Sequence, residues 1–173
     1  MSSIRVLYTA EEIAARVADV GSRITSDYEG RELVLVGILK GAAFLLADLA
    51  RRIQCPLTYE FVDVTTSRAD RGEVVSLTYA THFDVHGRDV LILKDVFHTG
   101  VTENYLLTHL SQQNPASMQI VALVDKPQLR SVNLSATYAV FSEVPEGFLV
   151  GYGLGSERGE YVNRPDLSLL QEA

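Results

Sequence analysis

The chain has 173 residues, a net charge of −7 at neutral pH, and 47% hydrophobic against 21% charged residues. That is long enough for one domain, residues 1–173, to bury a real core, and too apolar for a disordered chain. The acidic balance speaks against a general nucleic-acid surface, while a local basic pocket for a phosphate stays open.

The lone cysteine, Cys55, excludes a disulfide framework and a cysteine zinc site, and is expected to be a small buried hydrophobe. No charged region followed by an apolar core opens the chain. No run reaches the ~18 apolar residues of a membrane span. A cytoplasmic protein with no membrane partner is expected.

In chain order, Thr9-Ala-Glu-Glu12 is a capping-box pattern, and Ile13, Val17, Val20 and Ile24 follow at helical spacing. Leu33 to Leu39 is a continuous apolar run, which predicts a strand buried on both faces. Lys40-Gly41 ends it. Ala42 to Ile53 then reads as a helix with Phe44, Leu45, Leu49 and Ile53 on its apolar face. Leu57 to Val64 and Val74 to Tyr79 read as strands flanking a charged loop, Ser67 to Gly72. Val90 to Leu93, a helix over 101–110 and Ile120 to Val124 form a strand–helix–strand unit. Tyr138 to Phe141 and Phe148 to Tyr152 read as further short strands.

This alternation predicts an α/β fold with a central, mainly parallel sheet flanked by helices. Ligands in such sheets bind at the carboxyl ends of the strands. Three polar tips fall there, Lys40-Gly41, Asp95 to Thr102, and Asp125-Lys126-Pro127, and are expected to share one crevice. His82, His86 and His109 are scattered, with no nearby acids or cysteines to support a metal site.

The segment that speaks most directly to function is Val90-Leu-Ile-Leu-Lys-Asp-Val-Phe-His-Thr-Gly-Val-Thr102. A strand, an acidic tip, a glycine-containing loop and a helix in that order hold nucleotide-type phosphates. The loop N–H groups and the positive helix end face the anion, and Thr99 and Thr102 add hydroxyls. No Gly-x-Gly-x-x-Gly follows any strand, which disfavours a nicotinamide dehydrogenase.

The segment resembles the diphosphoribosyl-binding motif of purine phosphoribosyltransferases: an apolar strand, Glu-Asp, two apolar residues, Asp-Thr-Gly, a variable residue, then Thr or Ser. Asp95, Thr99, Gly100 and Thr102 match. Lys94 replaces the first acid and His98 the second Asp. Three other segments resemble the hypoxanthine-guanine branch of that family. Leu35 to Gly41 is similar to its pyrophosphate loop, in which the bond before the lysine is often cis. Val124-Asp-Lys-Pro127 is similar to the segment whose lysine bonds the exocyclic oxygen of a 6-oxopurine. Pro145 to Tyr152 is similar to the segment that lays an aromatic ring on the base.

The resemblance covers about residues 5 to 167. It implies a type I phosphoribosyltransferase fold with a small hood. It also implies transfer of ribose 5-phosphate from phosphoribosyl diphosphate to hypoxanthine or guanine, with Mg²⁺ and in a homodimer or homotetramer. His98 and Asp95 would be catalytic. Leu39, Lys40, Gly41, Lys94, Thr99, Gly100, Val101, Thr102, Lys126, Phe148, Leu149 and Arg164 would bind substrates. Asp95, by way of ribose and diphosphate, and more weakly Glu157 would serve the metal.

A neutral imidazole can accept a proton near neutral pH, so His98 is expected to take the role of base beside purine N7. Gly155 stands where the family has an acid. The mobile-loop Ser-Tyr pair is represented by Thr66-Ser67, with Arg68 and Arg71 as alternative charges for a diphosphate. A second reading stays open on these departures: a weak or inactive homologue that binds purine nucleotides in a regulatory role.

Overall fold

A computed structural model describes residues 3–69, 72–79, 83–156 and 158–171. His82, Arg71 and Glu157 therefore lie outside the described residues.

Strand β1 (Ser3–Tyr8) leads into helix α1 (Ala10–Asp27). The Thr9 side chain and Glu12 form the expected capping box at the start of that helix. Ile13, Val17, Val20 and Ile24 are all buried. Strand β2 (Leu33–Ile38) is buried at every position, as its apolar run requires.

Helix α2 (Ala42–Ala50) stops short of the expected Ile53. Its inner face is Ala42, Leu45, Leu46 and Leu49, whereas Phe44 is exposed. The Phe44 ring instead meets Tyr152 edge-on at 6.0 Å.

Strands β3 (Leu57–Ala69) and β4 (Gly72–Tyr79) form a long antiparallel hairpin where a charged loop over Ser67–Gly72 was expected. The ladder continues from Val62↔Tyr79 to Ala69↔Gly72, so backbone pairing overrides the polar side chains. Thr66, Ser67 and Arg68 thus lie within β3.

Strand β5 (Asp89–Phe97) outruns its apolar run, because pairing with β6 (Ser117–Asp125) persists to Phe97↔Asp125. Helix α3 (Val101–Ser111) joins them. Strands β7 (Tyr138–Phe141), β8 (Phe148–Val150) and β9 (Leu167–Gln171) follow. Strand β8 ends before the expected Tyr152, since Gly151 and Tyr152 both take positive φ.

The main sheet runs β4-β3-β2-β5-β6-β7, and only the β3–β4 pair is antiparallel. A second sheet, β1-β9-β8, forms a small hood. Sequence reading missed β1 and β9, which pair antiparallel across 168 positions.

Alternate residues of the buried strands face different layers. Leu33, Leu35, Leu91 and Leu93 pack with α1 and α2, whereas Val34, Val36, Val90 and Ile92 pack with Leu106 and Leu110 of α3. The order in which strands are added across the sheet reverses between the parallel β2 and β5, and the crevice opens at their carboxyl ends.

Candidate active site

The floor of the crevice begins at the end of β2. The Leu39 N–H donates to the Val62 carbonyl at 2.8 Å, and the Leu39–Lys40 peptide is cis. Gly41 then caps α2. A Cβ at this glycine would lie 1.8 Å from Asp95 Oδ2, so only glycine lets the two loops meet.

Because β5 continues through residue 97, Lys94 and Asp95 are strand residues rather than loop residues. Asp95 faces Gly41 and accepts from the Val96 N–H at 2.7 Å. Lys94 lies on the α3 face. Its ammonium stands 3.0 Å from Asp95 Oδ1 and 4.0 Å from Glu103 Oε1. Glu103 is 2% exposed, and its Oε1 has no hydrogen-bond partner. Burial lifts the Glu103 carboxyl above its ordinary range, and the Lys94 charge opposes that.

The 98–102 loop turns on Gly100, whose φ of 80° is left-handed. The loop is braced from behind. Thr99 carbonyl accepts from Ser131 N–H at 3.0 Å, and the Arg130 guanidinium donates to the His98 carbonyl at 2.6 Å. Arg130 also pairs with Asp125 and stacks on Phe97, 3.4 Å from the ring centre. No sequence motif had singled out Arg130. Its only signal was a cation a few residues past Asp-Lys-Pro.

Lys126 follows the last residue of β6 and is only 8% exposed, though it carries a full-length charged side chain. Opposite it, β8 presents Phe148, which is 45% exposed. The turn after β8 is built from positive-φ residues, Gly151 to Gly153. A Cβ at Gly153 would sit 2.9 Å from Phe44 and 3.2 Å from the Gly41 carbonyl, so this turn joins hood to floor.

Arg164 donates to Asp166 Oδ2 at 2.7 Å, and Ser168 donates to the same oxygen at 2.8 Å. Burial works to raise the Asp166 carboxyl, but these hydrogen bonds outweigh it and hold the group below its ordinary range.

These parts enclose a cavity of about 790 Å³. Lys40, Gly41, Asp95, His98, Lys126, Phe148 and Leu149 all line it, so four separate segments converge as expected. Leu39, Lys94, Thr99, Gly100, Val101, Thr102 and Arg164 lie outside its wall. Thr99 and Val101 are exposed at the rim of the phosphate-type loop, at the N-terminus of α3. Gly155 lines the cavity, as do Glu146 and Val162, which the motifs did not point to. Among the described residues no group of three or more His, Cys, Asp or Glu could hold a metal by itself.

Comparisons with known proteins agree with this geometry. The family model of the phosphoribosyl transferase domain matches residues 4–157. The hypoxanthine-guanine phosphoribosyltransferase of Mycobacterium bovis is 40% identical over 157 residues, covering 86% of this chain and 77% of that protein. Its namesake from Bacillus subtilis is 37% identical over 173 residues, covering 98% and 94%. Among solved structures, a hypoxanthine-guanine phosphoribosyltransferase from Bacillus anthracis superposes with a TM-score of 0.88 at 30% identity, covering 96% of this chain and 97% of that one. A hypoxanthine phosphoribosyltransferase from Staphylococcus aureus gives 0.88 at 34% identity, covering 96% and 91%. With β2, β5, β6 and β8 all bringing their expected motifs to one cavity, the chain belongs to the phosphoribosyltransferase family.

Proposed function

We propose that this protein transfers ribose 5-phosphate from phosphoribosyl diphosphate to hypoxanthine or guanine in purine salvage. The observation that carries this is the convergence of Lys40, Asp95, His98, Lys126 and Phe148 on one cavity. A purine nitrogen bonds to ribose C1′ while the C1′–oxygen bond to pyrophosphate breaks, through a cationic, oxocarbenium-like state.

The Lys126 ammonium donates to the exocyclic oxygen of the base, a strong hydrogen bond in a buried setting. Phe148 stacks on the ring, and Leu149 offers backbone groups to its edge. His98 takes the proton at N7. The N–H groups from Thr99 to Thr102, at the positive end of α3, hold the 5-phosphate. Leu39, Lys40 and Gly41 hold the leaving pyrophosphate, with Arg164 as a further cation on the hood side.

Asp95 holds the ribose hydroxyls. As a hard oxygen donor beside the pyrophosphate loop it fits Mg²⁺, which commonly takes one or two carboxylates and completes its shell with substrate oxygens and water. When bound, the metal neutralises charge on the diphosphate.

The same reading makes the protein a cytoplasmic, single-domain enzyme that works as a homodimer or homotetramer, without a nucleic-acid or membrane partner. Among the described residues no helix is long and apolar enough to cross a membrane.

The test is pyrophosphate release from phosphoribosyl diphosphate and Mg²⁺ with hypoxanthine, guanine and xanthine in turn. Turnover with hypoxanthine or guanine is expected, and none with any base overturns the proposal. His98→Ala should lower kcat on the order of 10²-fold if His98 is the base. Sedimentation equilibrium showing a monomer would overturn the assembly.

A further inference from the structure

Lys94 puts a positive charge where the family pattern has a negative one, and its ammonium lies against Asp95, the acid that remains. Taken alone, that pair is neutral. A neutral pair is a poor host for ribose hydroxyls polarised by a metal–diphosphate.

The structure supplies a third charge. Glu103, on the first turn of α3, is buried, lacks a hydrogen-bond partner at Oε1, and directs that oxygen toward Lys94 at 4.0 Å. A carboxylate in so buried a position is expensive unless a cation answers it. Lys94 is the only cation recorded in an ion pair with it among the described residues.

We infer that Glu103 is a positioning residue for the transfer reaction: it draws Lys94 to the α3 face and returns to the site the negative charge that Lys94 cancels. One positive and two negative groups leave the trio with a net charge of minus one. Lys94, held between Asp95 and Glu103, does not line the cavity, and Asp95 Oδ2 stays directed at the Gly41 loop. The acidic pair of the family pattern is thus rebuilt with one member moved from β5 to α3 and a lysine set between the two. This rests on the proposed transfer reaction for its ligand, but its geometry belongs to this chain.

The experiment is calorimetric titration of the full chain with phosphoribosyl diphosphate in the presence of Mg²⁺, with steady-state kinetics beside it. Glu103→Gln keeps the side-chain shape and removes the charge, leaving Lys94 to neutralise Asp95. Its dissociation constant and KM for phosphoribosyl diphosphate should rise roughly tenfold, with kcat within about threefold. Adding Lys94→Met to Glu103→Gln removes the neutralising cation, and should recover the affinity to within about threefold of the parent. A purely structural Glu103 gives no such rescue. Should Glu103→Gln fold poorly by circular dichroism, Glu103→Met carries the same expectation in an apolar shape.

Unchanged affinity in Glu103→Gln, or a double variant as weak as the single, overturns the inference. A parent that binds phosphoribosyl diphosphate with this pattern but turns over no base retires the enzymatic reading alone. A parent that turns over normally while Glu103→Gln does so with the parent's KM for phosphoribosyl diphosphate retires this inference alone. A parent that binds no phosphoribosyl diphosphate retires both.

Discussion

The floor and the hood of the crevice are built by different physics. The floor is the set of strand ends β2, β5 and β6, already ordered by a sheet with buried faces. Its loops are locked to each other by close contact, as at Gly41 and Asp95, or by a cation clamp, as at Arg130. The hood is a small three-stranded sheet reached through a run of positive-φ turns. It contributes an exposed ring, Phe148, and is steadied by the hydrogen bonds that converge on Asp166. Under the proposed reaction the floor sets where reacting atoms sit, while the hood sets how well the base is covered.

The strongest challenge to that contrast is Arg130→Met. It leaves Asp125 without its cation and frees the His98 carbonyl. A loss of about 3 kcal/mol in stability is expected in a denaturant melt, because both partners are mostly buried. The exposed Arg51–Asp48 pair should change stability by under about 0.5 kcal/mol when Arg51 is replaced by Ala.

Next is Gly41→Ala, whose Cβ must displace Asp95. We expect kcat/KM to fall about 100-fold, the scale of a 1 Å misplacement. A fall under about threefold would show that the floor yields as easily as the hood.

Phe148→Ala should raise KM for the purine about fivefold with kcat nearly kept, since a stacked ring is worth about 1 kcal/mol. An equal loss in kcat would move the hood into the positioning machinery.

Ser168→Ala should be milder than Arg130→Met, about 1.5 kcal/mol at neutral pH from one hydrogen bond to a carboxylate. Asp166 titrates lower when folded than when unfolded, so its contribution is present above the ordinary carboxylate range and fades as pH falls through the lowered value. Removing the Ser168 hydroxyl should shift the acid-unfolding midpoint to higher pH, read by circular dichroism.

Much of the floor was legible in the sequence, because its signals are local. The capping box at Thr9 and the spacing of Ile13, Val17, Val20 and Ile24 describe α1 without reference to anything else. The all-apolar Leu33–Ile38 run similarly describes a strand covered on both faces. Gly100 and its flanking threonines announce a phosphate-type turn.

What stayed hidden depends on partners far along the chain. Lys94 and Asp95 looked like a polar tip until pairing with β6 carried β5 past them and set the Lys94 ammonium between Asp95 and Glu103. Glu103 reads as an ordinary acid in a first helical turn, and only packing buries it against Lys94. Ser67, Arg68, Ala69 and Gly72 look like loop residues because their pairing energy is in the backbone ladder. Strands β1 and β9 show little pattern, since each finds its partner at the other end of the molecule.

That last pairing has a consequence for how the protein comes together. Ser3 lies beside Gln171, so the hood closes a loop of nearly the whole chain, whereas β2, α2 and β3 meet through short connections. Contacts of such long separation form late, because closure entropy must be spent before they stabilise anything. During synthesis the 39–41 and 98–102 loops are in place while the hood still waits for residues 167–171. The same order holds for opening from the finished state: the β1–β9 seam can part without disturbing the strands of the main sheet.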